Sequence, residues 1–234
     1  LHAVREITDL VHRAGAWAFV DGVAAAPHGL PDVRELGADA YYFSLYKVYG
    51  PHLGTMFLSA AVNAALPNQG HFFNAALPGK RFTPAGPDHA QVAAVNGVID
   101  YFDAVADRHG LAGRPVRERA AAVHGLFRAH ETALLQPLLD FLGGHPKVRL
   151  IGRTRAAERA PTVSFTVEGR RSADIGAALA HEKIGVGVGN FYAYRLVKAL
   201  GMDPDDGAVR LSFVHYTSKD EVDRLMRELD RCLN

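Results

Sequence analysis

The sequence predicts an α/β fold in which two parallel strands share one sheet, followed by a compact α+β unit. Apolar strands are expected at 16–20 and 41–44, with a helical segment before the first strand and another between the two. This alternation of strand and helix is typical of a parallel crossover. Beyond residue 144 a new series of strands and helices begins, which indicates a second, smaller unit.

The elements expected in the first half follow from apolar spacing and turn residues. They are a helix ended by Gly15, strand 16–20, a helical turn 31–36 capped by Asp32, strand 41–44, a buried strand 54–59 and a helix 88–106. The connection between strands 41–44 and 54–59 is too short for a parallel crossover, so this pair is predicted to be antiparallel and near an edge. Residues 60–87 form a long connection, and connections of that length are usually functional.

The second half is expected to form a domain of its own. A boundary is predicted at 110–114, which gives domains 1–110 and 111–234. A long helix with a continuous apolar stripe should end at Gly143 and Gly144. After it we expect strand 148–151, strand 162–167, helix 172–182, strand 184–188, helix 191–200, strand 208–214 and helix 219–233. Because the chain begins within an α/β unit, we also expect it to be the C-terminal part of a longer polypeptide.

Composition and charge argue against several classes of function. Of the 234 residues 48% are hydrophobic and 22% are charged, and the net charge is +1, so no basic field favours nucleic acid or a membrane surface. The one cysteine, Cys232, excludes an intrachain disulfide, and its place on the apolar face of the last helix predicts a core residue. The 12 histidines show no metal-ligand spacing. A cytoplasmic setting is the default expectation.

A lysine and an aspartate stand where the two predicted strands end. Asp21 directly follows strand 16–20, and Lys47 follows strand 41–44 just before Gly50 breaks the chain. Parallel neighbours would bring both residues to one carboxyl edge, where open α/β sheets bind ligands. The pair suits pyridoxal 5′-phosphate, because a lysine can form an imine with it and a carboxylate keeps its pyridine nitrogen protonated. The plain alternatives are an idle exposed lysine and a strand-end cap.

Residues 39–54 resemble the lysine signature of class V aminotransferases, with a serine three positions before the lysine and a Gly-Pro pair after it. These are fold type I pyridoxal phosphate enzymes and include the cysteine desulfurases. Residues 20–28 resemble the family's segment that binds the pyridinium nitrogen. The two motifs occur in the family's order and spacing, and a weaker resemblance extends over the whole chain. It implies that residues 1–110 are the later part of the large cofactor-binding domain and residues 111–234 the small C-terminal domain.

The resemblance also implies roles for individual residues. Lys47 would be the Schiff-base lysine and general base, and Asp21 the partner of the ring nitrogen. Ser44 matches a serine that hydrogen-bonds the cofactor phosphate, and Tyr46, where the family commonly has histidine, could donate one hydrogen bond to the same phosphate. Arg210 matches the arginine that holds the substrate's α-carboxylate, against the alternative of an arginine paired with a surface acid.

Several positions depart from the family pattern. Ala24 stands where the desulfurases carry a glutamine that contacts the cofactor's phenolate oxygen. Segment 81–87 resembles a loop that reaches across a dimer interface to the partner's phosphate, but Gly86 replaces its threonine, which leaves Thr83 or backbone N–H groups. The mobile cysteine of the desulfurases would fall near Tyr192, which becomes the expected substrate-binding residue there. The family's architecture implies a homodimer.

Together these residues favour a pyridoxal phosphate enzyme that acts on an amino-acid substrate. Transamination is the first expectation and β-elimination, a lyase reaction, the second, while epimerisation stays open. Persulfide chemistry is disfavoured because no cysteine occupies the matching position. The alternative from another class is a non-catalytic relative that keeps the fold for dimerisation or ligand binding. The departures from the family pattern favour that alternative, but the intact lysine, aspartate, serine and arginine favour the enzyme more strongly.

Overall fold

The computed structural model describes residues 2–83 and 86–234. These residues divide into two units of dense internal contact, 2–125 and 126–234. The division falls inside the longest helix, Val116–Gly144, whereas the domain boundary predicted at 110–114 lies in the loop before that helix. The boundary at 110–114 therefore stays a prediction, and each unit is considered by itself.

The first unit is built on a three-stranded sheet in the order β1-β2-β3. Its strands are β1 (Phe19–Asp21), β2 (Ala40–Ser44) and β3 (Gly54–Leu58). β1 and β2 run parallel and β3 is antiparallel to β2, so both predicted pairings are confirmed. Its helices are α1 (Val4–Arg13), α2 (Val33–Leu36), α3 (Ala60–Ala65), α4 (His89–Ala94), α5 (Asn96–Arg108) and the first part of α6 (Val116–Gly144).

Two aspartates fix the ends of these elements. Asp32 caps α2 as predicted, since its side chain accepts hydrogen bonds from two backbone N–H groups of that helix, and Gly37 closes the helix with a φ of +68°. Asp39 connects α1 to the parallel strand pair. Its Oδ2 accepts a hydrogen bond from the Ala18 N–H (2.8 Å) and lies 2.7 Å from His12 Nε2.

The second unit contains a four-stranded antiparallel sheet in the order β4-β5-β7-β6. Its strands are β4 (Val148–Ile151), β5 (Thr162–Val167), β6 (Gly187–Gly189) and β7 (Ala208–Ser212). Its helices are the rest of α6, α7 (Ser172–His181), α8 (Tyr194–Ala199) and α9 (Lys219–Leu233).

The apolar core of the second unit joins this sheet to α6, α7 and α9. Phe165 of β5, Leu138 of α6, Ile175 of α7 and Leu229 of α9 are all fully buried. Burying a side chain of this size stabilises a fold by about 1.5–3 kcal/mol. Cys232 is a free thiol that packs against the same core from α9, as predicted.

One predicted strand begins later than expected. Residues 184–188 were expected to be extended, but β6 covers only Gly187–Gly189. The reason is that residues 183 and 184 still form the C-terminal turn of α7. Lys183 has a left-handed φ of +56°, and the Ile184 N–H donates to the Leu179 carbonyl (2.9 Å). Pairing with β7 therefore starts only at Gly187.

Two predicted helices also differ from the structure. The helix expected at 191–200 is reduced to α8, because Phe191 and Tyr192 have φ values of +52° and +63°, which an α-helix does not allow. The helix expected at 88–106 is divided by Val95 into α4 and α5.

The first and third strands show further corrections. The strand expected at 16–20 is displaced to β1, because the Ala16 N–H still donates to the Val11 carbonyl at the end of α1. β3 was predicted to be buried, yet Met56 and Phe57 are 51% and 39% exposed. Among the described residues β3 pairs with one strand, β2. The other predicted elements agree with the structure to within two residues at each end.

None of the helices in the described ranges has both the length and the apolar character needed to cross a membrane.

Candidate active site

Three predicted site residues lie at one edge of the first unit's sheet. β1 pairs parallel with β2, and Asp21 lies opposite Tyr42. Asp21 is the last residue of β1, and Ser44 is the last residue of β2. Lys47 follows in the turn directly after β2. All three therefore come from the carboxyl ends of adjacent parallel strands, the edge at which α/β sheets bind ligands.

Asp21 and Ser44 project from the same face of the sheet. Side chains alternate between faces along a strand, and Asp21 is in register with Tyr42, two residues before Ser44. On β3 the residues in register with Tyr42 and Ser44 are Met56 and Gly54. A Cβ on Gly54 would meet no atom within 4 Å, so the space beside Ser44 is open. These β2 and β3 residues line a cleft of about 290 Å³, near the lower end of the roughly 300–1,000 Å³ typical of small-molecule sites.

A short 3₁₀ turn, Leu45–Val48, carries Lys47. Its two ends, Leu45 and Val48, are buried in a small apolar core, whereas Lys47 is exposed. The Leu45 N–H donates to the Leu53 carbonyl (2.8 Å), which closes the loop that follows the lysine. Within the described ranges the Lys47 amine has neither a hydrogen-bond partner nor an ion pair. The turn thus presents an unpaired primary amine from an anchored backbone.

The backbone after Asp21 is held in place by the ring of Tyr41. A Cβ on Gly22 would lie 2.0 Å from the Tyr41 hydroxyl oxygen and 2.1 Å from its Cζ, so only glycine fits. Burial, together with the negative charge of Asp21, raises the pKa of Tyr41 above its ordinary value, and this phenol therefore stays neutral. Asp21 itself is exposed, and its Oδ1 accepts a hydrogen bond from the Val23 N–H (2.9 Å).

The groups at this edge fit pyridoxal 5′-phosphate. A primary amine such as that of Lys47 can react with the cofactor's aldehyde, and a carboxylate such as that of Asp21 can pair with a protonated ring nitrogen. These two roles stay predictions. The Ser44 hydroxyl makes no capping bond to its own turn, so it is available to donate to a phosphate oxygen. In the part of the chain that the structure describes, no three His, Cys, Asp or Glu side chains are grouped to hold a metal ion.

Tyr46 lies beside Lys47 on the exposed side of the same turn. Its side chain is 47% exposed and stacks on His52, with ring centroids 4.7 Å apart and planes inclined by 11°. The stack restricts the orientation of the phenol ring and so the positions that its hydroxyl can reach. Tyr46 as a phosphate ligand stays a prediction.

Arg210 and Tyr192 belong to the second unit. Arg210 lies in β7 opposite Gly187 of β6, and its Cζ is 4.2 Å from the centroid of the Phe191 ring. Its Nε is shielded from solvent and has no hydrogen-bond partner among the residues described. Over the same residues it forms no ion pair with a surface acid. Tyr192 is fully exposed, and its N–H donates to Asn190 Oδ1 (3.1 Å).

Sequence reasoning did not identify two aromatic contacts of these residues. The stack of His52 on Tyr46 joins residues on either side of a Gly-Pro break, and no local pattern indicates it. The place of Phe191 over Arg210 had a weak signal, because the glycines of segment 185–189 leave no side chain opposite the arginine.

The segment predicted to cross a dimer interface, 81–87, is partly described, since Pro84 and Ala85 lie outside the described residues. At its start the Arg81 guanidinium donates to two backbone carbonyls at the end of α3. The long connection is thus tied back to the helix from which it leaves. Thr83 as a phosphate contact stays a prediction.

Comparison with known proteins shows the family of the chain. The sequence profile described as "Aminotransferase class-V" matches residues 1–69 and 125–225, which is more than half of the chain. The chain belongs to the class-V aminotransferase family. Members of this family, including the cysteine desulfurases, are enzymes that depend on pyridoxal 5′-phosphate, so the predicted family and its cofactor are confirmed.

Individual relatives agree with this assignment. The chain is 38% identical over 239 residues to the aminotransferase-like protein FGM3 of Gibberella zeae, covering 100% of this chain and 56% of that protein. It is 34% identical over 239 residues to the cysteine desulfurase-like protein ustD of Aspergillus flavus, covering 98% of this chain and 51% of that protein. The chain thus spans about half the length of these relatives.

A solved structure confirms the fold. The crystal structure of the cysteine desulfurase CsdA from Escherichia coli matches with a TM-score of 0.76 and 24% identity, over 99% of this chain and 55% of that chain. This likeness confirms the predicted fold type I architecture.

Proposed function

We propose that the whole protein is a pyridoxal phosphate enzyme that acts on an amino acid. The observation that carries the proposal is the placement of Asp21 and Lys47 at the carboxyl ends of adjacent parallel strands, with no partner for the Lys47 amine among the described residues. The family assignment supports the same cofactor. The cleft beside Ser44 offers space on the face of the sheet that carries Asp21.

Each residue of this edge would then have a defined task. Pyridoxal phosphate supplies an aldehyde that captures amines and a ring that accepts the electron pair released at the substrate's α-carbon. Lys47 would hold the cofactor, and its Nζ, once released from the cofactor, would remove the proton at the substrate's α-carbon. Asp21 would keep the proton on the ring nitrogen. Ser44 and Tyr46 would donate hydrogen bonds to the phosphate.

Substrate contacts are proposed for Arg210 and Tyr192. Arg210 would bind the α-carboxylate, because a guanidinium can donate two parallel hydrogen bonds to a carboxylate. Among the described residues its guanidinium forms no hydrogen bond or ion pair, and its Nε is shielded from solvent. Tyr192 would contact the substrate from the loop that follows β6.

An absorbance measurement tests the proposal. The whole protein supplied with pyridoxal phosphate should absorb between roughly 400 and 430 nm, as an imine to lysine does. The band should be absent in Lys47→Ala and present in Lys80→Ala, a matched control because Lys80 is also exposed and also lies in a 3₁₀ turn. Asp21→Asn should keep the band and lose most of the turnover. A wild-type protein without the band would favour the non-catalytic relative. A Lys47→Ala variant that keeps the band would show that another lysine forms the imine.

For the reaction itself we propose transamination first and β-elimination second. Transamination would need a proton to pass from the substrate's α-carbon to the aldehyde carbon of the cofactor, which Lys47 could carry, and water to release the keto acid. It needs no leaving group on the substrate side chain. The two reactions differ in their requirements. Transamination stops without a keto-acid acceptor, whereas β-elimination releases ammonia with no acceptor. Measuring ammonia and keto-acid formation over a panel of amino acids, with and without acceptor, therefore separates them.

We propose that the protein does not form a persulfide on a cysteine of this chain. By the resemblance, the attacking cysteine of the desulfurases would fall near Tyr192, and no cysteine is found there. Cys232 packs against the core from α9, and its burial raises the pKa of the thiol, which lowers the thiolate fraction. If the wild-type protein removes sulfur from L-cysteine, the Cys232→Ala variant should do this at the same rate. A large loss in that variant would contradict this part of the proposal.

We also propose a homodimer in the cytoplasm. The resemblance of segment 81–87 to a loop that crosses a dimer interface supports the dimer, and the single cysteine is compatible with a reducing compartment. Sedimentation velocity of the whole protein at several concentrations tests the dimer. A monomer at all of them would contradict it.

A further inference from the structure

The guanidinium of Arg210 lies against the face of an aromatic ring. Its Cζ is 4.2 Å from the centroid of Phe191, well inside the roughly 6 Å within which a cation and an aromatic face attract each other. Arg210 is anchored in β7, a strand with neighbours on both sides. The aromatic face is therefore brought to the arginine by the loop after β6.

That loop has an unusual backbone that places Phe191. Phe191 and Tyr192 both have left-handed φ values, +52° and +63°, which bulky residues rarely adopt. Asn190 holds the turn from both sides. Its Oδ1 accepts a hydrogen bond from the Tyr192 N–H (3.1 Å), and its Nδ2 donates to the Pro204 carbonyl (3.0 Å). Two consecutive residues in this conformation indicate that the position of the ring is imposed by its surroundings.

A glycine opposite the arginine makes room for the ring. Gly187 of β6 is in register with Arg210. A Cβ on Gly187 would lie 2.9 Å from Phe191 Cε1 and 3.5 Å from Arg210 Nε. Any side chain at this position would push the ring away from the guanidinium. The strand residue, the turn and the ring thus form one arrangement around Arg210.

The arrangement leaves the hydrogen-bonding edge of the guanidinium unused. Nε has no partner among the described residues, and Arg210 forms no ion pair within the same ranges. A guanidinium with one face covered and its donors unpaired is suited to a planar anion that approaches in its plane. We infer that Phe191 is a positioning residue, which fixes the plane of the Arg210 guanidinium for the α-carboxylate of the substrate. This inference rests on the carboxylate-binding role proposed for Arg210.

Four variants of the whole protein, loaded with pyridoxal phosphate, test the inference. Phe191→Leu removes the aromatic face and keeps an apolar side chain, while Phe191→Tyr keeps the ring. Gly187→Ala displaces the ring without changing it. Tyr194→Leu is the matched control, because Tyr194 is a half-exposed aromatic residue in the same segment. The probes are L-alanine and L-alaninol, which lacks the carboxylate, and calorimetry gives the dissociation constant of each.

We expect Phe191→Leu and Gly187→Ala to weaken L-alanine binding by roughly two- to fivefold, the range of an ordinary cation–π contact. Binding of L-alaninol should not change, and Phe191→Tyr and Tyr194→Leu should behave as wild type. In NMR spectra without substrate, the Arg210 Nε–H resonance should shift in Phe191→Leu, since the ring current is lost. This second measurement shows whether the ring lies on the guanidinium in solution, and an unchanged resonance would overturn the inference. Gly187→Ala keeps the binding test decisive if Phe191→Leu fails to fold.

The inference would be overturned if Phe191→Leu weakened the binding of L-alanine and of L-alaninol equally. It would also be overturned if neither L-alanine binding nor the Nε–H resonance changed. Arg210→Lys separates this failure from that of the proposed function. If Arg210→Lys no longer binds L-alanine more tightly than L-alaninol but Phe191→Leu still does, Arg210 binds the carboxylate without help from Phe191. If Arg210→Lys also keeps the preference, the role proposed for Arg210 is wrong and the inference falls with it.

Discussion

Replacing Gly22 with alanine tests whether packing against Tyr41 sets the position of Asp21. The added Cβ would lie 2.0, 2.1 and 2.3 Å from three atoms at the end of the Tyr41 side chain, whereas carbon atoms in contact are separated by about 3.5–4.0 Å. The ring or the strand end must therefore move by more than about 1 Å. Tyr41 is only 4% exposed and lies in the central strand of its sheet, so the ring has little room to move. Overpacking of this kind lowers the free energy of unfolding by about 1–3 kcal/mol. We expect a loss of about 3 kcal/mol in Gly22→Ala.

Urea unfolding gives the free energy of unfolding of each variant. Gly29→Ala is the matched control, since a Cβ there would meet no atom within 4 Å and the backbone is extended; it should change stability by less than about 0.5 kcal/mol. Tyr41→Leu removes the clashing atoms, so the double variant should be at least about 1 kcal/mol more stable than the sum of the single effects. Additive effects, or equal stability of Gly22→Ala and Gly29→Ala, would refute the packing argument.

Three further predictions concern single side chains. Asp39→Asn should lower stability at neutral pH by about 1–2 kcal/mol, because hydrogen bonds to a charged acceptor are lost. Burial acts to raise the pKa of Asp39, but the bonds from Ala18 and His12 hold it below its ordinary value. The difference in the free energy of unfolding between variant and wild type should therefore have its full size above about pH 4, the unfolded-state pKa. It should vanish as the pH falls through the lower folded-state pKa. A difference that does not depend on pH would contradict this prediction. The Cys232 thiol should react slowly with a disulfide reagent until the protein unfolds, since burial raises its pKa, and fast labelling of native protein would contradict its placement. Tyr46→Phe should weaken binding of pyridoxal phosphate by about fivefold, the effect of one ordinary hydrogen bond, and unchanged affinity would exclude the phenol as a phosphate ligand.

The sheet edge of the first unit could be predicted from the sequence because its signals are local. An apolar strand ending on Asp21, another ending at Ser44 and a lysine in a turn before glycine and proline are all visible within a few residues. The parallel pairing follows from the connection between the strands, and the antiparallel third strand follows from the short loop before it. These are short-range rules, and the structure confirms them.

What the sequence did not predict depends on contacts between distant residues or on backbone conformation. The loop after β6 was expected to be helical, because segment 191–200 has helical spacing. Instead Asn190 bonds to the backbone on both sides and holds Phe191 in a left-handed conformation. The exposure of Met56 in β3 was missed for a related reason, since an apolar run does not show whether a strand has neighbours on both sides.

The most direct test of the central claim is to locate the covalent attachment of the cofactor. The whole protein is incubated with pyridoxal phosphate, reduced with borohydride, digested and analysed by mass spectrometry. We predict a single modified lysine, Lys47, since an imine forms at an unpaired amine in the binding site. We also predict much less modification in Asp21→Asn at limiting cofactor. Modification spread over several exposed lysines, or absent from Lys47, would contradict the account.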